Sequence, residues 1–474
     1  MRRPRPLTVV AVLAVVLFAL WGIGGPLFGT SVLASTDEMV AHSPYAEAGH
    51  AGSLTTNTYL DDINTALLPD MILFRDALAD GELAAWDPYV SGGSAVASVP
   101  TAALFNPLSV PYWLLPAWLA PGYVLLLQTI VAVGGCLLFL RRLGLSRAAA
   151  VTGGLVFAGS AFMVAWLNFP QTRVAAFIPA LFWTLERLVQ QRRARDAALV
   201  AVPVAAMLLG GFPAVTGFAL LTAACYVAVR AVADNLARLR RAITTLVGAG
   251  LGVAGGVGLA MFQLVPFVDF YRRYLIEGRG QLPTFHLDPA SLVTAVAPFA
   301  LGTVNPHSPP AFVLERNFVE SVSYIGAGAA VLVLIAVAAM RRGRALLPRG
   351  AWAFLVAATL AWVVLIYAGG PPLAAAQQTP GLDILFGGNF IGRSRSVLGF
   401  LLAALAAVGM ELLLRSRRAA PAGARRAVSV DRLWAAGTWA AAAVVAGYVL
   451  LRAHRAVAGA ELSRRLRPGS VTNR

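Results

Sequence analysis

The residues best placed to do chemistry are two pairs of adjacent acids, Asp37-Glu38 and Asp61-Asp62. Neighbouring carboxylates repel, which pushes one pKa up, or they share a cation. Next to a membrane such a pair suits two tasks. It can act as general base on a hydroxyl acceptor, or it can hold a divalent cation that neutralises a phosphate leaving group. The chain is not otherwise rich in reactive groups. Its two cysteines, Cys136 and Cys225, fall inside apolar runs and have no metal-ligand or disulfide spacing.

The elements that must position these acids are membrane helices. Hydrophobic residues make up 58% of the 474, charged residues 13%, and the mean hydropathy is +0.72. That is too apolar for a soluble domain, and the apolar residues come in long runs. The expected fold is therefore an all-α polytopic bundle, a single membrane domain over 1–474. About eleven spans are expected, near 7–28, 118–140, 148–167, 173–189, 197–210, 213–230, 243–268, 321–340, 351–369, 395–414 and 432–451. The run 7–28 is read as an uncleaved first span, because no clear small-x-small cleavage site follows it. The Gly-rich stretch 248–258 lies within a span, where small residues let helices approach closely.

A net charge of +16 does not signal nucleic acid here. All 38 basic residues are Arg, and most sit in short clusters between spans. The clusters at 141–142, 192–195, 238–241, 341–344 and 415–418 all fall on one side if the N terminus is cytoplasmic, as the positive-inside rule requires. The loops 29–117, 269–320 and 370–394 then face outward from a plasma membrane. The basic tail 452–474 falls on the same outer side, against the rule.

The first loop is long and acidic. It holds ten of the 22 acids and a single basic residue, Arg75. Ile63, Leu67, Met71, Phe74 and Leu78 recur at helical spacing, which predicts an amphipathic helix, kinked at Pro69, lying on the membrane surface and ended by Gly81. Residues 101–117 are apolar but broken by prolines, as in an interfacial or re-entrant stretch.

Several pieces of the chain, in order, resemble YfhO-type bacterial membrane proteins. They are Leu60-Asp61-Asp62, Pro69, Phe74-Arg75-Asp76-Ala77-Leu78, Gly81-Glu82-Leu83, Trp86-Asp87-Pro88 and Gly92-Gly93, followed by Phe105-Asn106-Pro107-Leu108, Gly211-Phe212-Pro213, Gln263-Leu264-Val265-Pro266, Glu320 with Tyr324-Ile325-Gly326, and Arg393-Ser394-Arg395. The likeness covers roughly 1–415 and belongs to the GT-C glycosyltransferase class. It implies a GT-C-like bundle and an enzyme that moves a sugar from a polyprenyl-phosphate donor to an extracytoplasmic acceptor in the cell envelope: a polymer, a glycolipid or a protein. Carried over by position, the catalytic acid falls on Asp62, with Asp61 beside it. Asp37 and Glu38 occupy the place where other GT-C families keep an acidic pair. Asn64-Thr65-Ala66 stands where the family often has Gln, and the chain is shorter than typical members.

On that reading the donor phosphate needs cations, and Arg173, Arg316, Arg393 and Arg395 lie towards the outer side; the last two open a helix, where the dipole favours an anion. Trp86 and Tyr89 can stack on sugar faces or anchor the chain at the interface. His286, with Asp288, His307, Glu315 and Glu320, can contact acceptor or metal. The resemblance leaves the cofactor open, since GT-C enzymes differ in metal dependence; a divalent cation is the one candidate. Two other readings compete: a transporter or flippase of lipid-linked sugars, and a non-catalytic scaffold with the same fold.

Overall fold

The computed structural model describes residues 22–40, 43, 45–48, 57–90, 92–96, 100–235, 238–273, 286–305, 310–418 and 429–466, with four further positions between 13 and 20. Among them the architecture is all-α, with two isolated β-bridges. Among the described residues six helices are long and apolar enough to cross a membrane: Ala120–Arg142, Pro213–Asp234, Leu239–Arg273, Ala351–Ala368, Ile391–Ser416 and Thr438–Ala458. The protein is a multi-span membrane bundle.

The elements used below, in chain order, are α1 (Thr36–Val40), α2 (Leu68–Ala79), α3 (Ala120–Arg142), α4 (Arg147–Ala158), α5 (Ala161–Ala165), α6 (Pro170–Ala176), α7 (Ile178–Gln191), α8 (Ala194–Leu208), α9 (Pro213–Asp234), α10 (Leu239–Arg273), α11 (Ala327–Ala338), α12 (Ala351–Val363), α13 (Arg395–Arg418) and α14 (Ser429–Leu466). The continuous spans expected at 148–167 and 173–189 are each two shorter helices. Gly159-Ser160 interrupts the first, and Pro170 and Pro179 each open a new helix in the second. The span expected at 321–340 reduces to α11, whose first turn begins only after Gly326, at φ +94°. Most of the span expected at 7–28 lies outside the described residues; 22–28 are helical.

The bundle has two chemically different ends. At one, the Ser146 amide donates to Glu411 (2.9 Å), Arg415 pairs with Glu411 (2.8 Å), Gln190 donates to the Arg142 carbonyl (3.2 Å), and Arg187 pairs with Asp196. The basic clusters gather here, as expected from their spacing. At the other end Asn168 donates to the Leu33 carbonyl (2.8 Å), the Ala161 amide to Tyr324 (2.7 Å), and Asn106 to Ala206 (2.8 Å). Arg452 pairs with Asp288 at 3.1 Å, so the first arginine of the basic tail sits with the acidic loops. The broken pairs α4–α5 and α6–α7 therefore still run from one end to the other.

The core is aromatic at its centre. Phe182 packs on Phe400 at 4.8 Å between ring centroids and on Tyr226 at 5.1 Å, and Phe139 touches all three. Gly252 and Gly256 of α10 meet Val200 and Val204 of α8 so closely that an added Cβ would stand 2.6–2.7 Å from the valine side chains. The glycine-rich stretch thus serves close helix packing, as its composition predicts.

Beside this core lies one buried ion pair. Glu186 on α7 takes two bonds from Arg230 on α9 (3.0 and 2.8 Å) and one each from Tyr226 (2.8 Å) and Gln190 (2.8 Å), while Arg230 also donates to the Arg349 carbonyl (2.5 Å). The two side chains are 0% and 1% exposed. Replacing Arg230 with Met should strip Glu186 of its counter-charge and cost about 3–5 kcal/mol. Replacing both, as Glu186→Leu with Arg230→Met, should cost less than the single change. Thermal unfolding of the three proteins in the same detergent decides this.

Candidate functional site

The loop end holds three groupings. In the first, the turns that carry the two acidic pairs are joined. Ser35 donates from Oγ to the Leu60 carbonyl (3.1 Å), and Asn64 donates to the Ser35 carbonyl (2.6 Å) and hydroxyl (2.9 Å). The turn carrying Asp37 and Glu38 (α1) is thereby fastened to the turn carrying Asp61 and Asp62. Glu38 is buried, Asp37 and Asp61 are half-buried, and Asp62 is exposed. Two residues before Ser35, Leu33 is held by Asn168, which sits at φ +67°, a conformation Asn tolerates better than most residues. Close to these contacts Asn64 Oδ1, Trp166 Nε1 and Gln171 Oε1 are buried without hydrogen-bond partners among the described residues. Acceptors and a donor left open in this way match the needs of a hydroxyl-bearing molecule.

The second grouping is built on α2. A π-turn over Ile63–Leu67 leads into it, Pro69 stands in its first turn, and Gly81 at φ +79° ends it, with the Glu82 amide closing on Ala77 (2.8 Å). The buried stripe is Ile63, Leu67, Met71 and Phe74; Leu78 is exposed. Met71 and Phe74 pack with Leu104, Tyr112 and Val124, and Phe74 meets Phe105 edge-on at 5.4 Å. The helix expected to lie apolar face down on the membrane instead turns that face onto the protein. Residues 101–117, which form the opposing surface, are 3₁₀ turns and a short helix held by Ser109 and Trp113.

The Trp-Asp-Pro and Gly-Gly pieces form one tight hairpin. Asp87 and Ser94 exchange both backbone bonds (2.7 and 2.8 Å), the Asp87 carboxylate caps the Tyr89 amide (2.8 Å), and Gly93, at φ +119°, lies against the Trp86 indole. Trp86 and Tyr89 are exposed. This hairpin brings Asp87 to Asp70 on α2, a pairing that sequence reasoning missed because its partners lie on separate elements. Partial burial, and then repulsion from Asp87, raise the Asp70 carboxyl from its ordinary 3.8 to about 6. A carboxyl titrating there can take up or release a proton near physiological pH.

The third grouping collects arginines. Arg393 pairs with Glu320 (2.9 Å) and lies over the Phe212 ring at 5.0 Å, which explains the aromatic residue in the Gly-Phe-Pro break. Arg316 lies over Phe390 at 4.8 Å. Arg395 is 4% exposed and donates to the carbonyls of Gly392 (2.8 Å), Val319 (3.1 Å) and Val322. Arg173 stands apart, 2% exposed, bound to Ala102 (3.1 Å), Ser109 (3.2 Å) and Asn168 (3.3 Å) and lying 5.4 Å from the Tyr112 ring centre. It ties the 102–112 segment to α6. Thus Arg316, Arg393 and Arg395 come together, and Arg173 does not join them.

His286 is exposed, its Nδ1 beside the Leu287 carbonyl (3.0 Å), and packs on Gly369. Asp288 caps the following 3₁₀ turn through the Ala290 amide (2.8 Å) and pairs with Arg452. His307 lies outside the described residues. Among the described residues no three of His, Cys, Asp and Glu are grouped so as to hold a metal ion. No family model, no curated protein and no solved structure matches this chain.

Two outcomes follow from the α2 hairpin. Asp70 should titrate at about 6 by carbon NMR, and Asp87→Asn should lower that value. Because the folded value lies above the unfolded one, the native state binds the extra proton between 3.8 and about 6. Stability should therefore fall as pH rises through that window, and Asp70→Asn should flatten the fall.

Proposed function

We propose that this chain is a membrane glycosyltransferase of the GT-C class. It transfers a sugar from a polyprenyl-phosphate donor to a hydroxyl-bearing extracytoplasmic acceptor in the cell envelope, from a bundle whose basic end faces the cytoplasm. The observation that carries the proposal is the junction at Ser35 and Asn64. It gathers Asp37, Glu38, Asp61 and Asp62 at the end of the bundle that also holds Arg316, Arg393 and Arg395. The ordered motifs resembling YfhO-type proteins give the reading its reaction.

In this reaction Asp62, the exposed member of the four, takes the proton of the acceptor hydroxyl. The hydroxyl oxygen bonds to the anomeric carbon, the bond from that carbon to the phosphate oxygen breaks, and polyprenyl phosphate leaves with the electron pair. Asp62 then passes its proton to solvent. Arginine at the loop end stabilises the phosphate charge as it develops. Asn64, Trp166 and Gln171, with their open hydrogen-bonding atoms, would orient acceptor hydroxyls.

Purified protein in lipid nanodiscs, offered polyprenyl-phosphate hexoses and pentoses with a crude envelope acceptor, tests this. Asp62→Asn should lower transfer by about 10²–10⁴-fold, the usual worth of a general base, while Asp37→Asn retains most of it. Transfer untouched by Asp62→Asn removes that residue from the mechanism. Folded protein that consumes no donor overturns the reading, and movement of the donor across the bilayer without transfer would replace it with transport.

A further inference from the structure

A cavity of ≈ 620 Å³ lies between α11, α13 and α14. Its α14 wall is formed by Thr438, Ala442, Val445, Ala446, Val449 and Leu450, whose spacing makes one continuous helical stripe. Along this length α14 is the least buried of the candidate spans, 12% against 72% for the span containing α13. It leans on the bundle across a void. In a bilayer the void has a ready filling, because Val445 and Leu450 are exposed and the cavity opens sideways past them.

One end of the cavity is polar. Ser160, Ser323, Tyr367 and Arg395 line it, and Tyr367 donates to Ser323 at 2.6 Å. The Ser160 hydroxyl, on a residue 2% exposed, has no hydrogen-bond partner among the described residues. Arg395 uses three of the five guanidinium N–H groups on uncharged carbonyls, and the acid nearby, Glu320, is paired with Arg393. Glu320 thus faces both arginines, and one carboxylate shared by Arg393 and Arg395 leaves this end with net positive charge and open donors.

We infer that this cavity is a binding site for an anionic membrane lipid. One apolar chain lies along the α14 stripe, and the acidic head accepts hydrogen bonds from Arg395 and Ser160. The inference is independent of sugar transfer: the site can hold such a lipid whether or not the chain is an enzyme.

The test uses phosphatidylglycerol and phosphatidylcholine carrying the same photoactivatable acyl chain, each in nanodiscs with the full-length protein. Labelled peptides are mapped by mass spectrometry. Phosphatidylglycerol should label the stripe from Thr438 to Leu450 about tenfold more than phosphatidylcholine, the ratio that a hydrogen bond to a charged group supports. Ser160→Ala should narrow that ratio. Ala446→Trp should abolish labelling of the stripe while leaving that of the exposed α10 face at Leu251, Leu259 and Phe262, which reports that the variant is folded and inserted. Equal labelling by the two lipids, or stripe labelling that survives Ala446→Trp, overturns the inference. Added undecaprenyl phosphate separates the two sources of such a head: displacement of the label assigns the site to an isoprenoid phosphate, and none assigns it to phospholipid, both in support of an anionic-lipid site.

Discussion

A carboxylate and a guanidinium removed from water impose the constraint on which this bundle depends. Neither Glu186 nor Arg230 can be left alone in the interior, so α7, α9 and the turn at Arg349 must meet in one register. Once they do, the aromatic cluster of Phe139, Phe182, Tyr226 and Phe400 has one way to close, since Tyr226 both donates to Glu186 and stacks within it. The ion pair contributes less by net energy than by excluding other arrangements of a set of similar apolar helices.

The same logic permits the irregular loop end. A bilayer core offers no hydrogen bonds to broken backbone, so interrupted helices survive only inside protein. The breaks at Ser160 and Phe177 are buried on neighbouring helices, and Arg173 and Arg395 donate to buried backbone carbonyls of nearby turns. Several arginines that look like ligand-binding cations in the sequence are therefore also the mortar of the loops. Arg173 ties the 102–112 segment to α6, whereas Arg393 and Arg316 lie over Phe212 and Phe390.

Much of the architecture was legible because it is written in composition and period. Long apolar runs marked the helices, arginine clusters marked one end, and Gly81 and the glycines of α10 marked a helix stop and a close crossing. Two kinds of feature were not legible. Helix breaks at Gly159-Ser160 and near Phe177 hide within apolar stretches that pass for whole spans. Pairings across elements, such as Asp70 with Asp87 or Arg452 with Asp288, leave no periodic trace. Asn64 is instructive, because no periodicity singles it out and yet its side chain helps to join the two acidic turns.

The contact between Asp288 and Arg452 spans 164 residues of chain. The second loop is thus translated long before the helix that completes its surroundings. Until α14 arrives, the flank of α11 and α13 that it covers is open and Asp288 lacks its Arg452 partner. Biogenesis of this end is therefore ordered in time: the inner bundle can consolidate as its helices leave the insertion machinery, and the loop end matures as a separate, later event that needs helix α14 to dock from the side.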